Sequence, residues 1–149
     1  MCSSDLWYAL PHAADAAVLR ERWQKLRTLR SSVLKLLEDL RVAGKIGSSL
    51  AGEVDLYADD ESHALLESFG DDLRFPLITS RATVHCGVDA TAVATALPGV
   101  SVKVIATSYT KCERCWHYRE DVGADAAHAE ICGRCVANLF GAGEPRRFA

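Results

Sequence analysis

The chain has 149 residues, enough for one ordinary domain or two small ones, with 49% apolar and 25% charged residues. That balance excludes a disordered, collagenous or wholly charged chain, and no stretch reaches the roughly 18 apolar residues of a membrane span. A net charge of -3 excludes a uniformly basic nucleic-acid clamp.

Charge is placed unevenly. Between Arg20 and Lys45 there are eight Lys/Arg against three acids; between Glu53 and Asp72 there are eight acids and no Lys/Arg. A polyanion is steered to the first segment and repelled by the second, although such runs also suit a solvated helix face and an acidic loop. Met1-Cys2-Ser3-Ser4-Asp5 has neither a basic n-region nor an apolar h-region. The expected compartment is therefore the reducing cytoplasm.

From about Ala13 to Ala43 the spacing predicts one long helix. Leu19, Trp23, Leu26, Val33, Leu37 and Leu40 form an amphipathic stripe, Pro11 stands upstream, and Gly44 serves as a C-terminal cap. Arg20, Arg27, Arg30 and Arg41 lie along one flank. At about 45 Å, this helix is expected to need support from other helices, including ones outside the chain. Gly44 to Ser49 reads as a turn. Val54 to Tyr57 alternates as a short strand, Glu61 to Phe69 fits a short helix ending at Gly70, and Leu73 to Val84 reads as a strand region broken at Pro76. Val88 to Leu97 suits a helix or a loop, and Ser101 to Ala106 alternates as a second strand. The fold class is α+β: a long N-terminal helix, a small mixed α/β unit and a C-terminal cysteine module, with boundaries at 1–50, 51–106 and 107–149.

The last forty residues hold too few large apolar side chains for an ordinary core. Cys112-Glu113-Arg114-Cys115 and Cys132-Gly133-Arg134-Cys135 are two CxxC pairs separated by sixteen residues. This is a zinc spacing: two turns, each gripping with two thiolates, complete a tetrahedral S4 site with no position left for water or substrate. The site is expected to hold one structural zinc ion through Cys112, Cys115, Cys132 and Cys135. Disulfides suit a secreted chain, and a redox CxxC comes singly near a βαβ pattern. His117 and His128 could substitute as ligands, but four cysteines already suffice. Cys86 reads as a semi-buried thiol and Cys2 as a terminal residue.

Lys111, Arg114, Trp116, His117 and Arg134 flank the pairs, and Arg146 and Arg147 follow near the end. Basic residues beside an exposed ring suit RNA, where arginine neutralises phosphate and the ring stacks on an unpaired base. Trp116 could equally cover the metal site. The carboxylates Asp59-Asp60-Glu61 and Asp71-Asp72 sit in polar, turn-like sequence and are read as solvated.

The run from Lys111 to Trp116, the second CxxC, Asn138-Leu139 and Gly141 to Ala149 resemble the carboxyl terminus of bacterial isoleucyl-tRNA synthetases. Trp7, Pro11, Trp23, Arg27, the Arg30 to Leu40 helix, Ile46 to Leu50 and Val54 to Tyr57 resemble the end of that family's anticodon domain and its following junction, in the same order. The resemblance implies a class I parent enzyme that uses ATP to activate isoleucine and esterify it to tRNA. It also implies a zinc module that supports recognition of the anticodon arm. The four cysteines match the family's zinc cysteines one for one.

The His-x-Gly-His-like and Lys-Met-Ser-Lys-Ser motifs of the class I core do not occur in the chain. The expectation is a carboxyl-terminal fragment, cut at its beginning and ending at the family's natural end, inactive alone. It would bind isoleucine tRNA and dock on the missing catalytic and anticodon domains. Contacts with tRNA are expected from Arg20, Arg27, Arg30, Lys111, Arg114, Trp116, His117, Arg134, Arg146 and Arg147. Two rival readings are a DNA-binding zinc finger like that of the formamidopyrimidine-DNA glycosylases, and a purely structural docking domain with Trp116 and Phe148 as buried anchors.

Overall fold

The computed structural model describes residues 14–144. The expectations on Cys2, Trp7, Pro11, Ala13, Arg146, Arg147 and Phe148 lie outside the described residues. Helix α1 runs from Ala16 to Val42. Leu26, Leu29, Val33 and Leu37 are its buried residues, spaced so that one stripe faces inward. Past its end, Gly44 adopts φ +69° and donates its N–H to the Arg41 carbonyl at 3.0 Å, the left-handed turn for which the glycine was read.

Strand β1 (Gly52–Ala58) is central in a four-stranded sheet of order β2-β1-β4-β3. It pairs in parallel with β2 (Arg81–Cys86) and antiparallel with β4 (Val100–Ala106), while the short β3 (Val93–Ala94) extends the far edge. Val54, Leu56 and Ala58 are buried on one face of β1, and Asp55 and Tyr57 alternate between them.

Between β1 and β2 the helix expected from Glu61 is present, but the strand expected from Leu73 begins only at Arg81. After α2 (Asp60–Glu67), residues Gly70–Leu73 form a 3-10 turn and Arg74–Leu77 a short helix, α3. Pro76 lies in the first turn of α3, where its missing N–H has no helical partner to lose. Leu73 and Leu77 are both fully buried, four residues apart and on one side, so the apolar alternation taken for a strand is a helical face. These helices form the crossover that two parallel strands require. Val88 to Leu97 is neither helix nor plain loop, since it contributes β3.

One core joins α1 to the sheet: Leu26, Leu29, Val33 and Leu37 pack with Val54, Leu56, Leu66, Leu73, Leu77 and Val102. The chain's own mixed unit therefore supports α1 from Leu26 onward, while Val18, Leu19 and Trp23 of its first turns stay exposed. Helix α2 also takes up part of the basic charge. Lys25 pairs with Glu61 at 3.3 Å, and Arg22 donates to the Ser68 hydroxyl at 2.8 Å.

The cysteine module has its own centre. Strands β5 (Thr110–Lys111) and β6 (Tyr118–Arg119) form a two-stranded hairpin, and α4 spans Gly133–Phe140. Among the described residues, its buried hydrophobic cluster is Cys112, Cys132 and Cys135, with Cys115, Val122 and Ile131 partly buried around it. The module meets the mixed unit where the Tyr118 N–H donates to the Ser80 hydroxyl at 2.7 Å and His117 stands edge-on to Phe75. Among the described residues, no helix is long and apolar enough to cross a membrane.

Candidate metal centre and its flanking surface

The first knuckle is shaped by reciprocal backbone bonds. The Trp116 N–H donates to the Cys112 carbonyl and the Cys112 N–H to the His117 carbonyl, both at 2.9 Å. The turn forces Trp116 to φ +66°, a left-handed conformation that costs a non-glycine residue of order 1 kcal/mol. In the second pair Cys132 is the N-cap of α4, so Cys135 follows within the first turn.

These elements bring the four sulfurs within 4.8 Å of one another. Cys112 and Cys135 Sγ are 3.7 Å apart, and Cys115 and Cys132 Sγ are 3.8 Å apart. A tetrahedron with about 2.3 Å Zn–S arms has edges of about 3.8 Å, so the cluster fits one structural zinc ion. All four cysteines are free of disulfides. Burial alone would raise the Cys112 thiol. Backbone N–H groups of Cys115, Cys132 and Arg114 outweigh it and bring the thiol down to about 6. Burial pushes Cys115 and Cys132 up, so these need the cation to become thiolates. The donor set is complete without His117 or His128; His128 instead stacks on Phe140, with ring centroids 3.8 Å apart. Cys86 is exposed rather than semi-buried, with its thiol 3.3 Å from Asp60 Oδ1.

The flanking residues divide into two sets. Trp116 is 61% exposed, with Lys111 Nζ 5.4 Å from its ring centroid. It therefore does not cover the metal site. His117 and Arg134 are half-buried, and Arg114, although exposed, reaches back to the cysteine cluster. The Arg114 guanidinium donates to Cys135 Sγ at 3.6 Å. Arg134 grips Glu144 with two bonds, one of them 2.9 Å, and lies over Phe75 at 4.9 Å. His117 Nδ1 is 3.1 Å from the Cys115 carbonyl; a carbonyl only accepts, so this nitrogen carries the proton. Burial, and then Arg74, Arg134 and Arg119, hold His117 below its usual value, leaving a neutral ring.

A second surface lies along α1. Leu19, Arg20, Trp23, Gln24, Arg27, Thr28, Arg30 and Ser31 line an open groove of about 850 Å³. Its continuation is lined by Trp23, Arg27, Arg30, Phe75, Pro76 and Ile78. The Arg27 and Arg30 side chains have no hydrogen-bond or ion-pair partner among the described residues. Arg20 Nε donates to the Ala16 carbonyl, and Arg41, placed on the same flank from sequence, is neutralised by Glu38 at 2.7 Å. Sequence reasoning used Trp23 as core; it is 40% exposed and edge-on to Phe69 at 5.7 Å. It also missed Arg74 and Phe75, because the segment read as a strand.

Residues 111–138 match the family described as a zinc finger found in FPG and IleRS. That description covers both nucleic-acid enzymes named by the sequence, so the finger alone does not choose between them. The whole chain does. It is 53% identical over 143 residues to the isoleucine–tRNA ligase of Bordetella pertussis, covering 96% of this chain and 14% of that protein. The Bordetella petrii enzyme is 55% identical over the same extent, and that of Nitrosomonas europaea 50% identical over 147 residues, or 15% of its length. The resemblance to the isoleucyl-tRNA synthetases thus holds along nearly the whole chain, which spans about one seventh of the length of these relatives.

Proposed function

We propose that the chain is an accessory tRNA-binding region of an isoleucine–tRNA ligase, supporting recognition of the anticodon arm and performing no chemistry itself. The ATP-dependent activation of isoleucine belongs to the catalytic domains of the parent protein. The observation that carries the reading is Trp116, an exposed ring on a knuckle, beside Lys111. An unpaired base stacks on such a ring while the ammonium meets a phosphate. The groove holding Trp23, Arg27 and Arg30 adds cations without partners among the described residues. Arg114, His117 and Arg134 support the knuckle from within, and the four cysteines hold zinc.

The test is fluorescence anisotropy with isoleucine tRNA, a noncognate tRNA and a DNA duplex, with and without zinc chelation. Selective, zinc-dependent binding is expected, weakening with salt. Trp116→Gly relieves the left-handed strain, so it keeps the knuckle while removing the ring. Loss of one stacked base, worth about 1–3 kcal/mol, should weaken binding at least fivefold. Equal affinity for DNA, or an unaffected Trp116→Gly variant, would overturn the reading.

A further inference from the structure

The mixed unit contributes one charge that its own fold does not account for. Arg74, on α3, is 4% exposed. Its Nη1 donates to the Asp71 carbonyl at 2.9 Å and pairs with the Asp71 carboxylate, but its Nε is buried without a partner. Asp71 is a weak counter-ion: its side chain is 63% exposed, and Arg119 shares it at 3.6 Å. Arg119 has Asp121 as well, and Arg134 has Glu144. Arg74 is thus the least compensated of three guanidiniums at the interface between the two units. Its ring neighbour Phe75, 4.4 Å away, lies against Arg134 and His117, and His117 is bonded to the Cys115 carbonyl. Burial and the neighbouring Arg119 and Arg134 act against the Arg74 charge, and Glu144 and then the Cys115 sulfur act in its favour.

Four thiolates around one divalent cation carry a net charge of about -2, which an otherwise closed site must balance from outside. Arg114 reaches Cys135 from within the module. We propose that Arg74 is the counter-ion supplied from the neighbouring unit, so that docking of the zinc module and its affinity for metal are coupled. This rests on the four-cysteine zinc site. The mixed unit holds a buried cation that the loaded module neutralises, and the module holds a dianion that the mixed unit neutralises.

The test is competition for zinc between the whole chain and a chromogenic chelator in reducing buffer at fixed pH. Arg74→Met keeps the length and apolar contact of the side chain and should weaken zinc about tenfold or more, the range for loss of a partner outside the ligand shell. Arg74→Lys should recover most of the loss. Ser80→Ala removes the Tyr118 contact across the same interface without changing charge, and should weaken zinc much less than Arg74→Met does. Asp71→Asn, at an exposed side chain, removes the competing anion and should tighten zinc even if Arg74→Met folds poorly. Unchanged affinity in Arg74→Met, a loss in Ser80→Ala as large as that in Arg74→Met, or weaker zinc in Asp71→Asn would overturn the counter-ion role of Arg74. Failure of the native chain to take up one equivalent of zinc would instead overturn the metal site beneath it.

Discussion

Stripping zinc should unfold the cysteine module while leaving α1 and the sheet folded. The magnitude follows from what each part buries. Among the described residues, the only aliphatic side chains packed on the cysteine cluster are Val122 and Ile131, both partly exposed. Half-burial of two such side chains contributes about 2 kcal/mol in total. A structural zinc ion contributes about 10–16 kcal/mol, so it dominates the module's stability. Among the described residues the other unit has eleven leucines and valines at 4% exposure or less and no cysteine in its core. The assay is a 1H–15N spectrum during titration with a tight chelator under reducing conditions. Cross-peaks of residues 111–138 should collapse to random-coil positions. Those of α1, β1 and β4 should stay, with shifts confined to the interface around Phe75 and Ser80. Cys132→Ser should reproduce the collapse without chelator. Dispersed module peaks that survive metal removal would refute the reasoning, because apolar burial would then suffice.

Leu29→Ala empties a fully buried site between α1 and the sheet and should lower stability by about 3–4 kcal/mol in denaturant titration. Gly52→Ala points a new methyl at Leu37 Cδ2, itself buried, and should cost about 1–3 kcal/mol in the same assay. Replacing Arg27 and Arg30 together by Gln should flatten the salt dependence of tRNA binding while preserving the thermal midpoint, since neither side chain has a polar partner among the described residues. Asp59 accepts the Ser62 N–H at 2.9 Å, and these bonds hold its carboxyl below the ordinary 3.8. Its contribution is present in full above that value and fades as pH falls through the lower native one. The difference in melting temperature between native and Asp59→Ala protein should therefore be constant at neutral pH and shrink on strong acidification.

Much of the site was legible because its chemistry is local in the chain. Two CxxC turns at a zinc spacing define a donor set whatever surrounds them, and the structure brings those four sulfurs to one point. The long helix was equally legible, because a repeat of 3.6 residues is written directly in the positions of Leu26, Val33 and Leu37. The alternation in Val54 to Tyr57 and Ser101 to Ala106 likewise marked the two central strands. The segment after Gly70 was not legible in this way. A short apolar run containing proline fits an edge strand or a first helical turn equally well, and only the common burial of Leu73 and Leu77 decides for the helix.

By itself, then, the sequence determined the metal, its ligands, the α+β class and the likeness to isoleucyl-tRNA synthetases, since each rests on residue type and spacing along the chain. Tertiary structure decided which charges are free. Lys25 and Arg27 are two residues apart on one helix, yet Lys25 meets Glu61 across a fold-made contact and Arg27 faces an open groove. It also decided that Trp116 is left exposed while Arg114 on the same knuckle reaches Cys135, and that Arg74 of a different unit is buried beside the module. Partnership in space between residues distant in sequence depends on how the elements pack, and no periodicity in the chain records it.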